Sequence, residues 1–244
     1  MKYLLALTIF GVAMNAAEPA KVPVLAELFT SEGCSSCPPA DTLLMKLDQF
    51  QPVPGAQIIV LSEHVDYWNS LGWKDPFSSE QFTERQGMYA HALLSEKFTP
   101  QLVIDGRTAV LGSDGKAIAA AVTKAASHPK SEVKIVSAKR DDNEAVIALS
   151  VPALSSGKKD VWVAIADDHD QSSVSKGENA GKTIAHVAVV RSLTKVGTVS
   201  KSAGLDKTLH VPLKGQTGDG RVVVFVGDYG GPVLGLAMEK LTPM

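Results

Sequence analysis

An apolar run from Val22 to Phe29 stops five residues short of Cys34-Ser35-Ser36-Cys37, and Pro38 and Pro39 follow the second cysteine directly. That order constrains the fold more than any other feature of the chain. A run of this length and composition reads as a buried strand. Proline is welcome in the first turn of a helix, where its missing N–H has no partner in any case. Leu43, Leu44, Leu47 and Phe50 then recur at helical spacing. The cysteines are therefore expected at a helix N-terminus, just past the end of a buried strand. Gln57–Leu61 reads as a second strand and Asp75–Leu94 as a second helix. Gln101–Ile104 and Arg107–Leu111 read as a hairpin through Asp105-Gly106, and Lys116–Ala126 as a terminal helix. The order β-α-β-α-β-β-α predicts a mixed sheet with helices on both faces, because the strand–helix–strand crossover makes the first pair parallel.

Texture changes after the polar, proline-containing stretch Ser127-His128-Pro129-Lys130-Ser131. Residues 22–127 alternate strand and helix, whereas 131–241 read almost wholly as strands, near 132–138, 144–151, 160–166, 183–191, 207–212, 221–227 and 233–240. Many short strands with turn signals between them predict a second, all-β domain of sandwich type. The acidic stretch Asp167-Asp168-His169-Asp170 reads as a solvated turn. Gly177–Thr183 fails as a phosphate loop, since Lys176 stands where its first glycine belongs and a strand-like run follows.

Lys2, the apolar run over residues 3–14, and Ala16 and Ala17 before Glu18-Pro19 have the layout of a secretory signal peptide spanning residues 1–17. The run is too short for a bilayer, which takes about 20 residues, so no stable membrane span is expected once it is removed. The expected location is periplasmic or secreted. A formal net charge of −2 without any Lys/Arg cluster gives no reason to expect a nucleic-acid partner. In an oxidising compartment the only two cysteines can pair. A bridge closing so small a loop adds only about 2 kcal/mol as a staple, so chemistry explains the pair better than scaffolding does.

The stretch Glu27-Leu28-Phe29-Thr30-Ser31-Glu32-Gly33-Cys34-Ser35-Ser36-Cys37-Pro38-Pro39-Ala40-Asp41 resembles the opening motif of the domain-of-unknown-function 1223 family. His64-Val65-Asp66-Tyr67-Trp68, Leu71-Gly72-Trp73-Lys74-Asp75-Pro76-Phe77, Thr99-Pro100-Gln101 and Gly177-Glu178-Asn179-Ala180-Gly181-Lys182-Thr183 resemble its later blocks. The resemblance implies an exported bacterial protein with a thioredoxin-like domain and a β-rich C-terminal part, and it implies little about substrate. Kinship with thioredoxins would make Thr99-Pro100 the counterpart of their cis-proline, facing the CxxC. The chain departs from thioredoxins in its Ser-Ser between the cysteines and in having no Trp before them.

Cys34, Cys37, Pro100 and Glu27 are the candidate catalytic residues. A helix N-terminus favours a thiolate, the reactive form of cysteine. Cys34 is expected to be the exposed nucleophile and Cys37 the resolving thiol, with Glu27 beneath the pair as proton acceptor. Ser35, Ser36, His64, Asp66 and Thr99 are the candidate pocket residues. The leading expectation is a thiol–disulfide oxidoreductase that acts on protein or small-molecule thiols and disulfides and needs no cofactor. One alternative is a copper or zinc protein using Cys34, Cys37 and His64, since thiolate and imidazole suit those ions. The other is a non-enzymatic interaction protein in which the β-rich part does the binding.

Overall fold

Strand β1 (Val22–Thr30) is buried from Val24 onward and sits inside a sheet rather than at its edge. In the computed structural model, which describes residues 20–213, 216 and 218–244, it is followed by α1 (Pro38–Phe50), β2 (Ala56–His64), α2 (Glu80–Ala92), β3 (Gln101–Ile104), β4 (Thr108–Leu111) and α3 (Gly115–Ala126). The expected signal peptide lies outside the described residues. β1 pairs with β2 in parallel and with β3 antiparallel, and β3 turns into β4 through Asp105 and Gly106. The helix expected from Asp75 begins instead at Glu80. Asp75 spends its side chain on the backbone N–H groups of Phe77 and Glu32, and Ser79 becomes the N-cap, accepting from Gln81.

Every described element after α3 is a strand: β5 (Lys134–Asp141), β6 (Glu144–Val151), β7 (Lys158–Ser173), β8 (Thr183–Ser200), β9 (Leu205–Pro212), β10 (Gly220–Val226), β11 (Gly235–Lys240) and β12 (Thr242–Pro243). They are divided between two mixed sheets. One has eight strands in the order β11-β10-β7-β8-β2-β1-β3-β4, and the other has four in the order β12-β5-β6-β9. β8 joins β2 in parallel where Ser62 meets Val189, so one sheet runs through both halves of the chain. The acidic stretch at 167–170 is not a turn. It continues β7, because Arg191 pairs with Asp167 and Asp170 while Arg221 pairs with Asp168.

Two large apolar clusters follow from strand alternation. Val161, Val163 and Ile165 of β7 and Val222, Val224 and Val226 of β10 pack against Ile147, Leu149 and Leu209 of the four-stranded sheet. The alternate residues, among them Trp162, Ala164, Val223 and Phe225, join Leu25, Leu28, Leu44, Phe82 and Ile118 in a core shared by both halves. The eight-stranded sheet curls far enough for β11, at one end of the order, to touch β1. Among the described residues no helix is long and apolar enough to cross a membrane.

The halves also meet at Gly106, whose φ of +62° already favours glycine and where a Cβ would overlap the Gly231 carbonyl oxygen. Gly106→Ala should therefore cost about 2–4 kcal/mol through backbone strain and overpacking. Urea unfolding followed by far-UV circular dichroism and tryptophan fluorescence will measure it, with both probes losing stability together because the seam belongs to one shared core.

Candidate functional site

β1 and β2 are parallel, and their C-terminal ends open at the same edge of the sheet. The chain leaves β1 at Thr30, turns through Ser31–Ser36 and enters α1 with Cys37 as N-cap, its backbone helical at φ −78° and ψ −39°. Cys34 and Cys37 are bonded to each other, with Cα atoms 5.4 Å apart. The turn is closed by the amide of Cys37 donating to the carbonyl of Cys34 at 3.1 Å. Ser36 Oγ lies 3.3 Å from Cys34 Sγ and donates to the carbonyl of Thr99 at 3.5 Å. The Thr99–Pro100 peptide is cis, and Thr99 Oγ1 accepts from the Trp68 indole at 2.8 Å.

Cys34 was expected to be exposed, but both cysteines are fully buried, while Ser35 and Ser36 remain exposed. The turn between β7 and β8 is fastened to this segment. Asn179 donates from its amide to the carbonyls of Glu32 and Cys34 at 2.8 and 2.9 Å, and Glu178 accepts from the amide of Ser35 at 3.0 Å. The rejected phosphate-loop look-alike is thus the segment that clasps the cysteine turn.

Beneath the turn lies a buried polar cluster. Glu32 accepts from the Trp73 indole at 2.8 Å and from the hydroxyl of Ser172, and faces His186 Nε2 at 3.3 Å. His186 Nδ1 lies 3.7 Å from Asp41, which accepts from Thr30 at 2.9 Å. The amide of Glu32 donates to Asp75 at 2.9 Å, and the same Asp75 oxygen is 2.7 Å from His64 Nδ1. The His64 and His186 rings pack edge to face with centroids 4.6 Å apart. Burial works against a charge on His186, yet the charge of Asp41 and the hydrogen bond and charge of Glu32 outweigh it and push the imidazole up to about 9. Burial and the nearby Asp75 would raise the carboxyl of Glu32, but hydrogen bonds from His186, Ser172 and Trp73 keep it below its ordinary value.

Glu27 requires a correction. Thr30 meets Asp41 of α1 on one face of β1, while Glu27, three residues earlier, points to the other face. There Arg85 Nε donates to it at 2.8 Å and the hydroxyl of Tyr89 binds its second oxygen. Both partners belong to α2, so Glu27 is a buried ion-pair carboxylate and not the group beneath the dithiol. Glu63 shares Arg85 at 3.5 Å, and burial together with the repulsion of Glu27 pushes its carboxyl well up. Asp66 is also turned away, accepting from Thr83 of α2 at 2.6 Å. His64 does not touch the cysteines but reaches their turn through Asp75 and through its ring contact with His186. Among the described residues no three His, Cys, Asp or Glu side chains are arranged to hold a metal ion, and the alternative set of Cys34, Cys37 and His64 is not brought together as one.

Sequence reading passed over Asp41, His186, Glu178 and Asn179. Asp41 was legible, because it lies four residues after Cys37 and so on the same helix face. His186 and Ser172 were not, because they come from strands of the other half that only the shared sheet brings here.

A group whose folded-state pKa is raised stabilises the fold fully below its ordinary value and loses that contribution as pH rises through the raised one. For His186 this window runs from 6.5 to about 9. The stability difference between wild type and His186→Gln should therefore shrink by about 3 kcal/mol across it. Urea unfolding of both proteins at the two ends of the window checks this.

With this geometry in hand, comparison with known proteins places the chain. Among curated proteins none matches. A protein of Agrobacterium tumefaciens solved by X-ray crystallography as a structural-genomics target is 30% identical, with a TM-score of 0.67 over 92% of this chain and 96% of its own. A β-glucosidase structure from Kluyveromyces marxianus, 15% identical with a TM-score of 0.26, covers 45% of this chain and 14% of its own and carries no argument. A family model described as protein of unknown function (DUF1223) matches residues 25–227, and the chain belongs to that family.

Proposed function

We propose that the protein performs thiol–disulfide exchange at Cys34 and Cys37 on protein or small-molecule partners outside the cytoplasm. The observation that carries this reading is the Cys34–Cys37 pair, closed at the N-terminus of α1 and faced by the carbonyl of Thr99 before cis-Pro100. On this reading residues 22–127 are a thioredoxin-like domain and residues 131–241 an all-β part, and the signal peptide directs export. In the reduced protein the thiolate of Cys34, favoured by the helix end, attacks one sulfur of a partner disulfide. The other partner sulfur leaves as a thiolate, and a mixed disulfide remains on Cys34. Cys37 then attacks Cys34 Sγ, closes the internal disulfide and releases the second partner thiol. Run backwards, the same steps oxidise a partner dithiol.

A redox titration with thiol alkylation and mass spectrometry tests the reading. The wild type should pass reversibly between a dithiol and a disulfide form in one two-electron step. Cys34→Ser should trap no mixed disulfides and Cys37→Ser should accumulate them. A dithiol inert to partner disulfides in the unfolded-free, fully reduced protein would rule the function out. Because Asn179 and Glu178 hold the turn over a buried Cys34, Asn179→Ala and Glu178→Ala should each speed iodoacetamide labelling of reduced Cys34 several-fold, read by timed mass spectrometry.

A further inference from the structure

We propose that Asp41 is the proton acceptor for the Cys37 thiol when Cys37 resolves a mixed disulfide, and that His186, supplied by the other half of the chain, is the positioning residue beside it. The inference rests on the thiol–disulfide reading and names the groups that serve its second step. Cys37, the N-cap of α1, has helical backbone angles, and the amide of Asp41, four residues on, donates to its carbonyl at 3.1 Å, which puts the two residues on the same side of the helix. Both are buried, out of reach of bulk water as a base. Of the other buried carboxylates of this strand–helix unit, Glu27 is on the opposite face and held by Arg85, and Glu32 is already engaged by Trp73, Ser172 and His186.

In the mixed disulfide, the thiol proton of Cys37 passes to the carboxylate of Asp41 as its sulfur attacks Cys34 Sγ. The Cys34–Cys37 bond forms, the bond from Cys34 to the partner breaks, and the partner leaves as a thiolate. The proton held by Asp41 is then released to the departing thiolate or to solvent. The protein dithiol is oxidised by two electrons and the partner disulfide is reduced by two. Asp41 is faced by Thr30 from β1 at 2.9 Å and by His186 from β8 at 3.7 Å, with Glu32 beyond His186 and the Asp75–His64 pair beyond Glu32. His186 stays charged up to about 9 and Glu32 and Asp75 are held below their ordinary values, so none of these three changes charge across neutral pH.

The test is a two-phase reaction of the reduced full-length protein with a stoichiometric amount of dithiobis(nitrobenzoate), followed by release of the coloured thiolate in a stopped-flow instrument. The first release reports attack by Cys34 and the second reports resolution by Cys37. Transfer within the Asp41–Cys37 pair leaves the total proton count unchanged, so the second phase of the wild type should be nearly flat from about pH 5 to pH 8, between the carboxylate and thiol ranges. Asp41→Asn should make that phase rise about tenfold per pH unit, as a free thiolate does. His186→Gln, which removes the side chain 3.7 Å from Asp41, should slow the second phase several-fold while its pH profile stays flat. A wild-type second phase that rises tenfold per pH unit, or a flat one that persists in Asp41→Asn, overturns the proposal and leaves thiol–disulfide exchange standing. Absence of the first phase overturns both. Should Asp41→Asn fail to fold, the wild-type profile and His186→Gln decide.

Discussion

Glu32 is the carboxylate on which the arrangement of the site depends. A charge taken out of water is tolerated only when paired and hydrogen-bonded, since the desolvation cost otherwise exceeds what the fold can supply. Glu32 meets that demand with Trp73 from the segment after β2, Ser172 from β7 and His186 from β8. Its own amide is fixed by Asp75 and its carbonyl by Asn179. The residue stands two positions before Cys34, so satisfying it fixes the course of the cysteine turn. Most of its partners lie beyond residue 127. The β-rich half is therefore a structural component of the cysteine site, and not an appendage to it.

The same strand carries two ionic sites of different character. On the face covered by α2, one cation, Arg85, serves Glu27 closely and Glu63 more distantly, with Tyr89, Phe225 and Tyr229 around the guanidinium. Burial and the charge of Glu27 raise the carboxyl of Glu63. A neutral Glu63 lets one cation balance one anion in a dry environment. That cluster ties α2 to β1 and to the curled end of the sheet. On the face covered by α1, His186 lies between two carboxylates, and its charge is raised by both. The first arrangement is enclosed and balanced. The second borders the disulfide and carries an excess of negative charge, a better composition for moving a proton than for packing alone.

Most of the first half was legible because its signals are local. Proline after Cys37, leucines at helical spacing and Asp-Gly between two short strands each act within a few residues. The long strands β7 and β8 were underestimated. Charged residues in a strand read as a turn unless their partners are known, and Arg191 and Arg221 are remote in sequence from the aspartates they neutralise. Glu27 was assigned to the wrong face for a related reason. Period-two alternation says that Glu27 and Thr30 point to opposite sides of β1, but it does not say which side α1 will cover.

The sequence by itself determined that two cysteines stand at a helix N-terminus beside a buried strand, that Thr99-Pro100 opens a later strand, and that the chain ends in strands. These are properties of residue type and spacing, which act through the backbone nearby. Only the tertiary structure decided that β8 would join β2 and carry the second half into the first sheet. It alone decided that Asn179 and Glu178 would be fastened to the cysteine turn, and that His186 would reach Asp41. Those contacts join residues more than a hundred positions apart, and the burial of charge that makes them matter exists only once both halves have closed around it.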